Sequence, residues 1–422
     1  MAEKLQAPKG TFDVLPQDAP ARAALYAGAA RQFKNAGYGQ IETPVFEDTA
    51  LFARGVGEST DVVSKEMYSF IDQGDRSLTL RPEGTASVCR AYVEHGMHKL
   101  PQPVKFWYAG PFFRQEAPQA GRFRQFFQIG AEALGSDDPA LDAESITLLA
   151  RLLNFAGVDA KLRISSLGSH DQRAAYGDQL KSYLRDHESA LSDDVRERIE
   201  LNPLRAFDAK HPGTQAVMAD APRLLNTINA DDRRHFDDVL ALLAEAGVSY
   251  EIDDSLVRGL DYYTRTVFEF VSEQLGAQSG VGGGGRYDGL VEMLGGPATP
   301  GVGWAAGVER ILTAGSLADQ NTAGGTNVFV AIEPGSDVAP AFRLTTALRD
   351  HGIAATMELS GRSIKGQLKQ ADRVGASHVV VFGGERGAYD AAIKNLQARR
   401  QAELTGLTGE NFIESIIKGL GA

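Results

Sequence analysis

The sequence predicts a large α+β unit, an antiparallel sheet flanked by helices, followed by a smaller α/β unit. Three observations carry this expectation. The first part mixes a helical run such as ALYAGAARQFKNAGY with the strand-like pair VKFWYAGPFFRQE and GRFRQFFQIGAEALG, without regular alternation. Residues 315–325, GSLADQNTAGG, are small and polar and have no apolar periodicity, as in an interdomain linker. Beyond them strand-like and helix-like runs alternate, which favours a compact unit with a largely parallel sheet.

Length and composition agree with that division. A chain of 422 residues exceeds what one hydrophobic core serves. Hydrophobic content of 43% with 23% charged residues is that of a globular protein and excludes collagenous and disordered classes. The start, MAEKLQAPKGTFDVLP, has no apolar leader pattern, and no run of about 18 apolar residues follows, so a cytoplasmic chain with no membrane partner is expected. The single cysteine, Cys89, cannot form an intramolecular disulfide and reads as a small buried apolar residue. A net charge of −12 argues against nucleic acid. After Asn327, however, basic and acidic residues roughly cancel, so the acid lies earlier and a nucleic-acid-binding C-terminal unit is compatible with the charge.

Taken in order, TLRPEGTAS places Glu83 and Thr85 after a strand and a Pro turn, a helix-capping pattern as much as a ligand site. Phe112 to Glu132 reads as a hairpin. Alternation puts Arg114 and Glu116 on one face of its first strand, and Phe126, Gln128 and Glu132 on one face of its second. Such a face can hold a phosphate on Arg114, an aromatic base against Phe126 and a polar substrate between Gln128 and Glu132; a solvated face with incidental ion pairs has the same alternation. Residues from about 170 to 247 are charged and helical, as in a helical insertion. SLVRGLDYYTRTVFEF sets Arg258 in a Gly-containing turn before Tyr262 and Tyr263, either as pocket walls or as a structural tyrosine pair.

GVGGGGRYDGL matches G-x-G-x-x-G, but it opens no βαβ unit, has no acidic partner downstream and is not followed by the Lys-Ser/Thr of a P-loop. Close backbone approach around a substrate, with Tyr287 at the wall, is the reading it supports. GVGWAAGVERIL passes from a strand into a helix with Arg310 near its start, where N–H groups and guanidinium can meet phosphate. A buried strand-helix packing unit would look alike. NVFVAIEP, AATMEL and SHVVVFGG then read as strands, with helices at AFRLTTALRDHG, SIKGQLKQADRVG and near ENFIESIIKGL.

Ordered along the chain, these segments resemble those of histidyl-tRNA synthetases, and the resemblance covers essentially the whole sequence. LVRGLDYY and GGRYDGL are similar to that family's two histidine signatures, FRQE with RFRQFFQ to class II motif 2, and GVGWAAGVERI to motif 3. IETPVFEDTALF, around Pro44, resembles the dimer-forming motif 1, and KGTFDVLP and KEMYSF match further family segments. The resemblance implies a class II catalytic domain over residues 1–325 with six or seven antiparallel strands and the helical insertion at about 170–247. It implies an anticodon-binding α/β domain over 326–422. The activity implied is that of a homodimeric histidine–tRNA ligase, which joins L-histidine and ATP, with Mg²⁺, into histidyl-adenylate and transfers histidine to the 3′ end of tRNA(His).

Residue by residue, the resemblance gives Glu83, Thr85 and Gln128 to the histidine α-amino group, and Glu132 and Tyr263 to the imidazole, with Tyr262 and Tyr287 completing the pocket. Arg114 takes the α-phosphate, Glu116 and Phe126 the adenine, and Arg310 the γ-phosphate while stacking on the base. Arg258 is the catalytic cation between histidine carboxylate and α-phosphate, with Arg114 beside it. No metal ligand is assigned. Ala117 stands where many relatives have arginine, and GGERGAYDAAIKNL diverges, so no anticodon contact is assigned either. The alternative is the non-catalytic, histidine-sensing regulatory subunit of ATP phosphoribosyltransferase. That family lacks the anticodon unit and has degraded adenylation motifs, whereas Arg114, Glu116, Arg258 and Arg310 are all present.

Overall fold

A computed structural model describes residues 4–57, 60, 62–116, 122–256, 260–276, 279–317, 327–385, 388–408 and 411–420. It divides into two compact units, Met1–Asn321 and Thr322–Ala422. No helix among the described residues is long and apolar enough to cross a membrane.

The first unit opens with α1 (Ala19–Asn35), started by a Pro in its first turn and burying Ala21, Leu25, Gly28, Ala29 and Phe33 along one stripe. The short β1 (Gly39–Gln40) and β2 (Phe46–Asp48) lead into α2 (Thr49–Val56), whose first turn is capped by Asp48 through a 2.8 Å bond from Ala50 N. β3 (Tyr68–Ile71), β4 (Ser77–Leu80) and α3 (Thr85–Glu94) precede the hairpin β5 (Val104–Phe113) and β6 (Gln125–Leu134). After α4 (Pro139–Phe155) and β7 (Lys161–Ser166) come the α-helices α5 (His170–Asp186), α6 (Asp193–Arg198), α7 (Pro212–Ala219) and α8 (Ala230–Glu245), with short 3-10 turns between them. The unit closes with β8 (Tyr250–Ile252), β9 (Thr264–Val271), β10 (Gly280–Arg286), α9 (Leu290–Met293), β11 (Gly301–Gly307) and α10 (Val308–Ala314).

Among the described residues its main sheet has eight strands, in the order β1-β5-β6-β11-β10-β9-β7-β8. The six inner strands are antiparallel, while β1 and β8 add to the two edges in parallel, so the sheet is larger than the expected six or seven strands and mixed at its rims. Strand alternation divides the two faces. Ile129, Ala131 and Ala133 of β6, with Trp107 of β5, face a core closed by α1, α4 and α8, among them Leu25, Phe33, Leu149 and Phe236. Tyr108, Phe112 and Leu134 face the opposite side, in a cluster shared with Tyr262, Tyr263 and Tyr287 and with Leu180 and Leu184 of α5. Cys89 is buried there, as the sequence suggests. The glycines of β10 let it lie close to β11: a Cβ at Gly282 would meet Ala306 at 2.6 Å.

The second unit runs β12 (Val328–Ile332), α11 (Val338–Asp350), β13 (Ala355–Met357), α12 (Ile364–Arg373), β14 (His378–Glu385), β15 (Ala388–Asn395), β16 (Arg400–Leu407) and α13 (Phe412–Leu420). Its sheet order is β13-β12-β14-β15-β16. The expectation of a largely parallel sheet needs correction. β13, β12 and β14 are parallel, but β15 and β16 pair antiparallel. After β14 the chain returns directly as a neighbouring strand, where a parallel connection would require a crossover helix.

Candidate active site

A fully buried carboxylate organises one end of the site. Glu132 of β6 has no exposed surface and receives three hydroxyl protons: from Tyr287 Oη at 2.6 Å, Thr85 Oγ1 at 2.8 Å and Tyr108 Oη at 3.2 Å. Burial pushes its pKa up to about 8, against the opposing pull of those hydroxyls. The Tyr108, Tyr262 and Tyr287 hydroxyls are raised well above their ordinary value, first by burial, so they remain donors at neutral pH. Tyr262 joins the group through its ring, 4.7 Å from that of Tyr263 and 5.8 Å from that of Tyr287.

Glu83 serves the helix-capping pattern and the site at once. Its two oxygens accept from the N–H groups of Thr85 at 2.7 Å and Ala86 at 2.9 Å, at the start of α3. Burial raises its pKa despite these donors and the charge of Arg114. The turn so fixed aims Thr85 at Glu132. Gln128, opposite Gly110 and Gly307 in the sheet, has a buried Oε1 with no hydrogen-bond partner among the described residues. A buried acceptor left open beside this cluster suits an N–H donor from a ligand.

Gln128 also lines a cavity of about 190 Å³ together with Arg114, Glu116, Arg122, Phe123, Phe126, Glu269, Arg310 and the β10 glycines. Arg114 is held by Nε donating to Pro82 O at 2.9 Å, stands 3.8 Å from Glu116, and lies 5.4 Å over the Phe126 ring. Arg122 pairs with Glu116 at 2.8 Å. Arg310, in the first turn of α10, donates to Gly280 O, and burial together with the charge of Arg122 lowers its pKa. Like charges gathered around one cavity favour an anion between them. A cavity of similar volume within the helical insertion, lined by Asp194, Arg198, Asn202 and Arg205, contains none of the expected site residues.

The fold therefore brings together Glu83, Thr85, Glu132, Tyr262, Tyr263 and Tyr287 on one side of Gln128, and Arg114, Glu116, Phe126 and Arg310 on the other. Arg258 and Ala117 lie outside the described residues. Three further residues were not singled out from sequence. Tyr108 shares the site face of β5 with Phe112, so alternation alone signals it. Arg122 sits in the hairpin connection, visible in sequence only as one basic residue among several. Arg286 is fully buried and pairs with Asp142, with Asp288 at 3.2 Å and with Ser136 O at 3.0 Å. It sits next to Tyr287, but its fully buried partner, Asp142, is 144 residues away in sequence.

The profile of histidyl-tRNA synthetases matches residues 10–311, a span that contains every expected site residue. The chain belongs to the histidyl-tRNA synthetase family. The histidine–tRNA ligase of Corynebacterium diphtheriae is 46% identical over 407 residues, covering 96% of both chains. The apo histidyl-tRNA synthetase of S. aureus superposes with a TM-score of 0.80 at 32% identity, covering 99% of this chain and 100% of that one. An ATP phosphoribosyltransferase regulatory subunit/histidyl-tRNA synthetase from Bacillus halodurans C, at 20% identity and TM-score 0.66 over 90% of this chain and 99% of its own, shares the fold. In this histidyl-tRNA synthetase fold the buried carboxylate and the arginine-lined cavity meet on one face of the antiparallel sheet.

Proposed function

We propose that this chain is a histidine–tRNA ligase. It activates L-histidine with ATP and transfers the histidyl group to the 3′ end of tRNA(His). The observation that carries the reading is the juxtaposition of Glu132, buried under three hydroxyl donors, with the orphan acceptor of Gln128 and the arginine-lined cavity beyond it. Glu132 and Tyr263 address the imidazole, and Tyr262 and Tyr287 enclose it. Gln128, with Glu83 and Thr85, receives the α-ammonium. A pocket that hydrogen-bonds the polar side chain leaves buried groups unpaired when another amino acid enters, which costs factors of about 10⁴ or more.

The histidine carboxylate is already ionised at neutral pH, so attack on the α-phosphorus needs no strong base. A carboxylate oxygen–phosphorus bond forms as the bond to the β-phosphate oxygen breaks, and pyrophosphate leaves. Two anions must be held in line while charge builds on the phosphoryl oxygens, so positioning and electrostatic stabilisation supply the acceleration. Arg114 and Arg258 provide forked, permanently charged donors, and Arg310 holds the γ-phosphate end. Phe126 and Glu116 bracket the adenine. In the second step the tRNA 3′-terminal hydroxyl attacks the carbonyl carbon, and AMP departs with the electron pair of the broken acyl–oxygen bond and takes up the hydroxyl proton on its phosphate.

Mg²⁺ supplies charge neutralisation of the departing phosphates. Among the described residues no cluster of three acidic, His or Cys side chains could hold it alone. A hard oxygen donor is nevertheless present in Glu269 at the cavity, and Mg²⁺ commonly takes one or two carboxylates with phosphate oxygens and water. Residues 1–325 are proposed as the catalytic domain and 326–422 as the anticodon-binding domain of a cytoplasmic homodimer. The dimer is supported by an apolar patch near motif 1, where Phe46, Phe70 and Ile71 are 52%, 43% and 64% exposed. The regulatory-subunit alternative would need the histidine pocket but no cation-lined cavity. ATP–pyrophosphate exchange with each of the twenty amino acids tests the proposal: exchange with histidine alone supports it, and histidine binding without exchange would favour the regulatory subunit.

A further inference from the structure

We propose that Arg173, on the helical insertion, is a positioning residue for the histidine pocket, holding the turn that presents Tyr262 and Tyr263. The inference rests on the histidine-activating reading above.

Arg173 stands near the start of α5 and reaches out of the insertion. Its Nη1 donates to two main-chain carbonyls, Asp261 O at 2.5 Å and Tyr263 O at 3.0 Å, and its Nη2 lies 3.6 Å from the Asp261 carboxylate. Asn202, also from the insertion, donates to the same carboxylate at 3.2 Å, and Asp261 N donates to Val56 O at 3.3 Å. One guanidinium thus closes a staple across the peptide units on either side of the Tyr262–Tyr263 pair, the residues whose rings line the pocket.

The packing of the insertion does not depend on this staple. α5 is anchored by Tyr176, Leu180 and Leu184 in the core, and its start by Ser169 N donating to Asp232 at 2.9 Å. A second link joins the insertion to β9, Arg265 Nε to Asp232 at 2.9 Å, where Arg265 takes a left-handed φ of 45°. The Arg173 side chain is only 17% exposed, yet its hydrogen-bond acceptors are carbonyls of the pocket turn. A cation kept this far from water is costly unless fully bonded, and here its bonds set the geometry of a substrate wall. A wall displaced by about 1 Å can cost roughly 10²-fold in rate.

The test is ATP–pyrophosphate exchange by full-length Arg173→Met, Arg173→Lys and Asn202→Ala, with rates normalised to active sites titrated by the pyrophosphate burst. Arg173→Met should raise the KM for histidine about 10-fold or more, with the KM for ATP within about twofold of the wild type and the thermal midpoint little changed. Arg173→Lys should recover part of the loss, because an ammonium can still reach one carbonyl. Should Arg173→Met not fold, the lysine and Asn202→Ala variants decide by the same split. Histidine and ATP constants that stay at wild-type values, or that worsen together with the thermal midpoint, overturn the positioning role. Failure of the wild type itself to exchange with histidine would instead sink the functional reading.

Discussion

Tyr287 donates its hydroxyl proton to Glu132 at 2.6 Å, joining residues 155 positions apart in the chain. The bond ties the end of the glycine-rich strand to the buried carboxyl proposed to address the imidazole. Tyr287→Phe removes the donor and keeps the ring. With the Glu132 carboxyl raised to about 8 the bond joins two neutral groups at pH 7, and such a bond contributes about 0.5–1.5 kcal/mol, so the KM for histidine is expected to rise by roughly 2- to 10-fold, with the KM for ATP unchanged. Exchange kinetics at saturating ATP give the answer; an unaltered histidine constant would show that Glu132 does not depend on this donor.

The same carboxyl makes stability pH-dependent. Burial raises Glu132 from 4.5 to about 8 in the folded chain. A group raised on folding contributes its full stability below its unfolded pKa and loses it as pH rises through the folded value, because the folded state then holds a proton that the unfolded state has released. Glu132→Gln abolishes this term. The melting temperature of the variant relative to the wild type should therefore climb between about pH 4.5 and about pH 8 and level off above, measured without ligands. A constant difference across that range would mean that Glu132 ionises normally.

Much of this site is local enough to be legible in sequence. The period of two in β6 places Phe126, Gln128 and Glu132 on one face because Ile129, Ala131 and Ala133 fill the core behind them. Glu83 and Thr85 belong to one helix start, and Arg310 to another. What escapes are pairings set by tertiary register. Tyr108 lies opposite Gly130, and a Cβ at Gly130 would collide with its ring, yet neither fact is written in the local pattern. Arg286 sits beside Tyr287, but its meaning depends on Asp142, 144 residues earlier. In the second unit the strands after β14 were folded into an α/β expectation because alternation of elements says nothing about strand direction once no helix intervenes.

The Asp142–Arg286 pair predicts a coupled stability effect. Arg286 has no exposed surface, and Asp142, equally buried, is held below the ordinary carboxylate pKa because Arg286 and His235 outweigh the opposing effect of burial. Asp142→Asn leaves the guanidinium without its fully buried counter-charge, and removing one partner of a buried pair costs about 3–5 kcal/mol. Replacing both, as Asp142→Leu with Arg286→Met, should return most of that loss. Urea unfolding measures both variants. Additive losses in the double variant would contradict the coupling.

The final prediction concerns the apolar patch and its path to the chemistry. Val45 O accepts from Arg81 N at 2.9 Å, and the buried Arg81 side chain donates to Thr43 O at 2.9 Å and Pro111 O at 2.9 Å while its guanidinium lies 4.6 Å over Phe112. Pro82, the next residue, accepts from Arg114 Nε at 2.9 Å. The strip that carries Phe46 is thus bonded through two residues to the arginine expected on the α-phosphate. Ile71→Glu, combined with Phe46→Glu, puts charge into the patch without touching this chain of bonds. Sedimentation at micromolar concentration should show a dimer for the wild type and a monomer for the variant, and exchange by the monomer should fall about 10-fold or more as Arg114 loses its fixed frame. A monomeric wild type would remove the dimer proposal, and a fully active monomer would show that Arg114 is held by its own subunit alone.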